Sequence, residues 1–282
     1  MPVTEGAPLY STVAHLLPQS YKRTVSQWLE EDTPSFDYGG FVVGEEMTEA
    51  RLLGKSKGIV AGIPFFNEVF IQLDCTVEWH ISEGESFNPI KHCATVQGSV
   101  RKLLLGERVA LNTLARCSGI ATKSASLLTL LREAGYNNTL AGTRKTAPGF
   151  RLVEKYGMLV GGCDGHRHDL SSMTMFKDNH IWSAGSIKKA VKAAKAAGGF
   201  SIKTEVECQS LEEAIEAGEA GAEIVMLDNF TGEGVKQAAK KLKESTSSIH
   251  QGVKHVDFSL KIVPKGESGN KKQAGDGEST AV

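Results

Sequence analysis

Basic and acidic residues recur in this chain directly after short apolar runs. Thr139-Leu140-Ala141 leads into Thr143-Arg144-Lys145-Thr146, and Met173 to Phe176 into Lys177-Asp178-Asn179-His180. Further on, Ile202 to Val206 runs into Glu207, and Ile224 to Leu227 into Asp228-Asn229. Between the first two lies Asp164-Gly165-His166-Arg167-His168-Asp169. In parallel α/β architectures the working side chains project from the C-terminal ends of strands. Strand ends that agree in character therefore point to a site rather than to scattered surface charge. If these strands share one barrel, its rim gathers Arg144, Lys145, His166, Arg167, Lys177 and His180, with Glu207 and Asp228 opposite.

Clustered arginines and lysines repel one another unless an anion neutralises them, so the substrate should carry several negative charges. The two acids suggest Mg²⁺ on a phosphorylated substrate, because that ion is held by one or two carboxylates together with phosphate oxygens and water. Phosphoryl or phosphoribosyl chemistry follows. Two rival chemistries are open to the same residues. Cys163, Asp164, His166 and His168 are all possible zinc ligands, but their spacing matches no common zinc pattern. Lys177 at a strand end could instead form a Schiff base, although the surrounding arginines favour anion binding.

Positioning such residues requires alternating strands and helices. Met173 to Phe176, Ile202 to Val206 and Glu223 to Leu227 read as buried parallel strands, with helices from about Ser186 to Ala197, Leu211 to Ala220 and Glu233 to Lys243. Ser210 and Glu213 form a capping box, and Gly198-Gly199 is a stop signal. The first hundred or so residues read as α+β. Tyr21, Val25, Trp28 and Leu29 share a helical face, Cys75 to Ile81 alternates as a strand, and Phe65 to Leu73 is predicted helical despite its ambiguous period. A long helix from about Ser99 to Arg116 has Val100, Leu103, Leu104, Leu111, Leu114 and Ala115 on its apolar side. Arg108 falls on that side, either as a charge to be paired and used or as a snorkelling edge residue.

Composition bounds the rest. The chain has 282 residues, 40% hydrophobic and 23% charged, with a formal net charge of -1. It is long enough for a large core, and its balance gives no sign of a nucleic-acid or membrane-surface binder. Five scattered cysteines without a CxxC pair fit a reducing compartment. Residues 1–6 show no signal or transit pattern, and no apolar run is long enough for a bilayer. A cytoplasmic protein, with the nucleus as the alternative, is the expectation. Phosphate loops of the GxGxxG or GxxxxGK[ST] kind are absent, which counts against the common nucleotide-binding doubly wound folds.

Taken together, the ordered segments Glu107-Arg108 to Asn112, Arg116 to Thr122, Gly142-Thr-Arg-Lys-Thr146, Gly161-Gly162, His166-Arg167, Lys177-Asp-Asn-His180, Glu205-Val-Glu207 and Leu227-Asp-Asn229 resemble the quinolinate phosphoribosyltransferases, in their eukaryotic form. The similarity spans nearly all of residues 9–262. It implies an α/β fold in which an N-terminal α/β sandwich domain, residues 1–118 completed by 255–263, joins an incomplete α/β barrel of the type II phosphoribosyltransferase kind, residues 119–254. A disordered tail would occupy 264–282. The implied reaction joins quinolinate to phosphoribosyl pyrophosphate, with Mg²⁺, and gives nicotinate mononucleotide, pyrophosphate and carbon dioxide for NAD biosynthesis. Matching positions make Lys145, Lys177, Glu207 and Asp228 catalytic. Arg108, Arg144, Lys145, His166, Arg167, Lys177, Glu207, Asp228 and Ser247 become substrate contacts, and Glu207 and Asp228 the metal contacts. A homodimer or a hexamer of dimers with shared sites is implied, Arg108 coming from the neighbouring subunit.

The chain departs from that family in one place. After the helix near Lys243 the family continues with an apolar strand, a Ser-Gly-Gly turn and a helix, whereas here Glu244 is followed by Ser245-Thr246-Ser247-Ser248. About one barrel βα unit is missing, and with it a turn whose backbone N–H groups cradle a 5′-phosphate. The competing expectation is therefore a catalytically defective or regulatory subunit that still dimerises.

Overall fold

The computed structural model describes residues 9–245, which divide into two compact units between Met173 and Thr174. In the first, a 3-10 segment (Leu9–Leu16) precedes α1 (Ser20–Asp32), α2 (Tyr38–Val43), β1 (Met47–Gly54), β2 (Gly58–Ile59), α3 (Ile63–Gln72), β3 (Thr76–Trp79), β4 (Ser86–Phe87), β5 (Lys91–Ser99), α4 (Val100–Glu133) and α5 (Arg151–Val160). The second contains β6 (Thr174–Phe176), α6 (Asp178–Ala184), α7 (Ile187–Gly198), β7 (Thr204–Cys208), α8 (Leu211–Glu219), β8 (Ile224–Leu227) and α9 (Gly232–Ser245).

The first unit is built on an antiparallel sheet in the order β1-β5-β3, with Met47 opposite Ser99 and Thr76 opposite Gln97. Val25 of α1, Phe66, Val69 and Phe70 of α3, and Leu103, Val109, Ala110 and Leu114 of α4 bury their side chains with Cys93 and Val96 of β5. The region predicted helical at Phe65 to Leu73 is α3. Its start is explained by Pro64 in the first turn and by Glu83, whose carboxylate accepts from the N–H groups of Gly62 at 2.7 Å and Ile63 at 2.9 Å.

α4 is longer than predicted, and its faces differ from the expected ones. The buried line runs through Leu103, Gly106, Val109, Ala110, Thr113, Leu114, Cys117 and Ala121, while Leu104 is 51% exposed and Arg108 lies on the exposed side with it. The apolar-side reading of Arg108 is thus corrected. Leu104 and Arg108 lie one turn apart on a face that the core does not use. The domain boundary expected at residue 118 falls inside this helix, because its second half packs on α5 and forms another core from Cys117, Ala121, Val153, Tyr156 and Val160. Contact there is close enough to exclude side chains. A Cβ at Gly157 would stand 2.7 Å from the Cys117 carbonyl oxygen, and one at Gly161 2.5 Å from that of Ala121.

In the second unit the strands are parallel in the order β6-β7-β8, with Phe176 beside Val206 and Cys208 beside Leu227. Val191, Val206, Cys208, Ala214 and Ala217 are fully buried between sheet and crossover helices. Ser210 caps α8 by accepting from the Glu213 N–H at 3.2 Å, and the Glu213 carboxylate returns to the Gln209 N–H at 2.7 Å. The fold class expected from the sequence, an α/β sandwich followed by an incomplete α/β barrel, matches these elements. One expected strand shrinks: Thr139 to Ala141 contributes only a parallel bridge between Ala141 and Asp164. The segment 255–263, the tail 264–282 and Ser247 lie outside the described residues.

Candidate functional site

Two groups of the predicted residues are brought together, one in each unit. In the first unit the Ala141–Asp164 bridge, extended by the Gly142 N–H to the Asp164 carbonyl at 2.8 Å, sets two loops side by side. Residues 143–147 form one loop. It is tightened by the Lys145 N–H donating to Thr143 Oγ1 at 3.0 Å and the Thr146 N–H to the Arg144 carbonyl at 2.8 Å. Arg144 is half-buried and Lys145 exposed. The second loop turns at His166, whose backbone is left-handed at φ 53, with its N–H donating to Asp164 Oδ1 at 2.6 Å. Arg167 Nη1 reaches the Met173 carbonyl at 3.4 Å. The buried Nε of Arg144 meets no acceptor among the described residues. A buried cationic donor without a partner is expensive, and an anionic ligand would satisfy it.

In the second unit the group lies at the C-terminal ends of the strands. Lys177 follows β6 and its ammonium pairs with the Glu207 carboxylate of β7. The Asp228 N–H donates to the Cys208 carbonyl at 3.0 Å, carrying the parallel ladder one residue beyond β8. Asp228 Oδ2 accepts from Gln209 Nε2 at 3.2 Å and from Asn229 Nδ2 at 2.9 Å. The same Asn229 amide bonds Gln209 Oε1 at 2.8 Å. His180 sits at the start of α6, where its Nδ1 accepts from the Lys177 N–H at 3.2 Å. Two carboxylates at adjacent strand ends are the donor set that suits a Mg²⁺ ion carried on substrate oxygens.

Both rival chemistries weaken. Among the described residues no group of three or more His, Cys, Asp or Glu could hold a metal, and Cys163 is buried with its thiol toward the Ser124 carbonyl. Lys177, the Schiff-base candidate, is engaged by Glu207. Reading the sequence overlooked Glu154 and Lys155. They are 2% and 4% exposed, and both reach the basic loops from α5. Their only signal is that both stand among the apolar positions Val153, Tyr156 and Val160. Burial, helped by Arg151, Arg144 and Arg167 and opposed by Asp164, pushes the Lys155 ammonium below its ordinary value.

Comparison with known proteins gives the same picture along the chain. The family described as quinolinate phosphoribosyl transferase matches residues 33–118 with its N-terminal domain and 120–254 with its C-terminal domain. The human nicotinate-nucleotide pyrophosphorylase [carboxylating] is 50% identical over 234 residues, covering 83% of this chain and 79% of the human protein. The Dictyostelium discoideum protein of the same name is 44% identical over 295 aligned residues, covering 89% of this chain and 98% of that one. That alignment is longer than the 282-residue chain itself, so it carries positions of the relative with no counterpart here. Among solved structures, NadC from Streptococcus pyogenes superposes with a TM-score of 0.74 at 37% identity, over 80% of this chain and 81% of that one. With both domains matched in order and half its residues shared with the human protein over most of its length, the chain belongs to the quinolinate phosphoribosyltransferase family.

Proposed function

We propose that this chain transfers the phosphoribosyl group of phosphoribosyl pyrophosphate to quinolinate, releasing pyrophosphate and carbon dioxide and giving nicotinate mononucleotide for NAD biosynthesis. The observation that carries the reading is the buried Arg144 Nε, without an acceptor among the described residues, in the same basic cluster as His166 and Arg167. Quinolinate brings two carboxylates to such a cluster, and Arg144, Lys145, His166 and Arg167 are its binding residues. The pyridine nitrogen attacks the anomeric carbon as the bond to pyrophosphate breaks. Glu207 and Asp228 stabilise the positive charge that develops on the ribose, and Lys177 holds Glu207 in place until substrate anions compete for it. Once ribosylated, the positive nitrogen stabilises by its charge the electron pair left on the neighbouring carbon when carbon dioxide departs, and that pair takes up a proton. Glu207 and Asp228 are the residues that would hold a Mg²⁺ ion brought in on the substrate's oxygens, and that ion would supply positive charge to the departing pyrophosphate.

The exposed position of Arg108, beside the exposed Leu104, supports a homodimer or a larger assembly of dimers in which Arg108 completes a neighbour's site. The five cysteines are free and buried, in keeping with a cytoplasmic location. Relatives named for the carboxylating activity favour the transferase over a non-catalytic subunit.

Calorimetric titration tests the reading. Quinolinate should bind the wild-type chain far more tightly than nicotinate, which has one carboxylate. Arg144→Ala should lose about 1.5–3 kcal/mol of that affinity. Equal affinity for the two acids, or an unaffected variant, overturns the assignment. At quinolinate concentrations too low for either variant to work alone, mixing Arg108→Ala with Arg144→Ala subunits should restore about a quarter of wild-type activity if sites are shared across a symmetric dimer.

A further inference from the structure

Loops carrying several cations hold one shape only if something behind them fixes it, and here that element is α5. Glu154 Oε1 accepts from Nε and Nη2 of Arg116 at 2.9 and 2.8 Å, and its Oε2 accepts from the Ala147 N–H at 3.2 Å. Ala147 closes the loop that carries Arg144 and Lys145. Arg151, one turn before Lys155 on α5, adds a hydrogen bond from its Nε to Thr146 Oγ1 at 3.1 Å.

The next residue serves the other loop. The Lys155 ammonium donates to the carbonyl of Gly165. The N–H of that same peptide unit belongs to His166 and donates to Asp164 Oδ1 at 2.6 Å. One peptide plane is therefore gripped at both its oxygen and its nitrogen, and its tilt sets the direction in which His166 and Arg167 leave the chain. Burying an ammonium in a cationic neighbourhood is unfavourable. An apolar side chain would fill this space at lower cost but would offer Gly165 no donor.

We propose that Glu154 and Lys155 are positioning residues for substrate binding. Glu154 sets the Arg144–Lys145 loop through Ala147, and Lys155 sets the His166–Arg167 turn through Gly165. Adjacent residues of a helix point about 100° apart, so one rigid element can serve two loops separately.

The consequence for quinolinate rests on the function proposed above, but positioning can be measured without substrate. Hydrogen–deuterium exchange on the full chain should show Glu154→Gln speeding exchange in residues 145–149 about tenfold while 165–168 stay protected. Lys155→Met should do the reverse. As a second variant that leaves the buried site intact, Asp164→Ala, at an exposed position, releases the other end of the same peptide and should loosen 165–168 alone. In Lys155→Met, KM for quinolinate should rise about tenfold with kcat within about twofold, and Lys155→Arg should recover most of the loss. Equal loosening of both loops in every variant, or loosening of all α5 with them, would reduce these residues to fold stability and overturn the proposal. A wild-type chain that binds no quinolinate defeats the functional reading instead, and the exchange pattern still decides the positioning.

Discussion

In the first unit the charged side chains sit on loops and are held from behind by buried groups of α5. In the second they sit at strand ends, and their partners are one another: Lys177 with Glu207, and Asp228 with Gln209 and Asn229. The difference follows from the charges. Like charges on a loop push it open, so a cationic cluster needs ties to something rigid. A mixed cluster at strand ends is self-compensating, and the ladder that pairs Cys208 with Leu227 already sets its spacing. Damage to the second unit should therefore appear in chemistry, and damage to the first in binding.

The largest expected effect tests the second half of that contrast. Glu207→Gln should lower kcat by about 10²-fold or more while leaving thermal unfolding nearly unchanged, since it removes charge stabilisation and one partly exposed ion pair. A large fall in unfolding temperature would mean that the strand-end network is structural. Gly161→Ala tests the first half. With the Ala121 carbonyl 2.5 Å from the added Cβ, α5 must shift, and the variant should lose about 1–3 kcal/mol in denaturant unfolding and raise KM for quinolinate as well. Loss of stability with unchanged KM would separate α5 from the loops.

A smaller effect concerns pH. Because folding holds Lys155 below its ordinary 10.5, its contribution to stability is complete above about that pH and is lost as pH falls through the folded value. At neutral pH the buried ammonium is a net cost. Lys155→Met should gain on wild type in urea unfolding at pH 7, and the advantage should shrink toward pH 10. A pH-independent difference would contradict this. The smallest signal comes from thiols. Burial raises Cys117 in the first unit and pushes Cys208 in the second up to about 12, so both should resist labelling in the native chain. In Gly161→Ala, Cys117 should label before Cys208. Simultaneous labelling would mean that the two units open as one.

The strand-end residues were legible because the rule behind them is periodic: an apolar run ends and a polar residue follows on the solvent end of a buried strand. Lys177, Glu207 and Asp228 could each be picked out in that way. The supports on α5 could not. Glu154-Lys155 reads as an ordinary solvated stretch, and only the tertiary approach of α4 through Gly157 and Gly161 buries it. Arg108 falls outside the buried stripe for a related reason. Leu104 and Leu111 drew the predicted stripe toward it, whereas packing selected Gly106, Val109, Ala110 and Thr113, residues whose small or branched side chains permit close helix contact.

The most direct test is conversion itself. Folded 282-residue protein, supplied with Mg²⁺, quinolinate and phosphoribosyl pyrophosphate, should form nicotinate mononucleotide and carbon dioxide in equal amounts. KM for phosphoribosyl pyrophosphate should lie above that of a version with the strand and Ser-Gly-Gly turn restored. Product from the restored version alone would make this chain the non-catalytic form, and product from neither would contradict the assignment of the reaction.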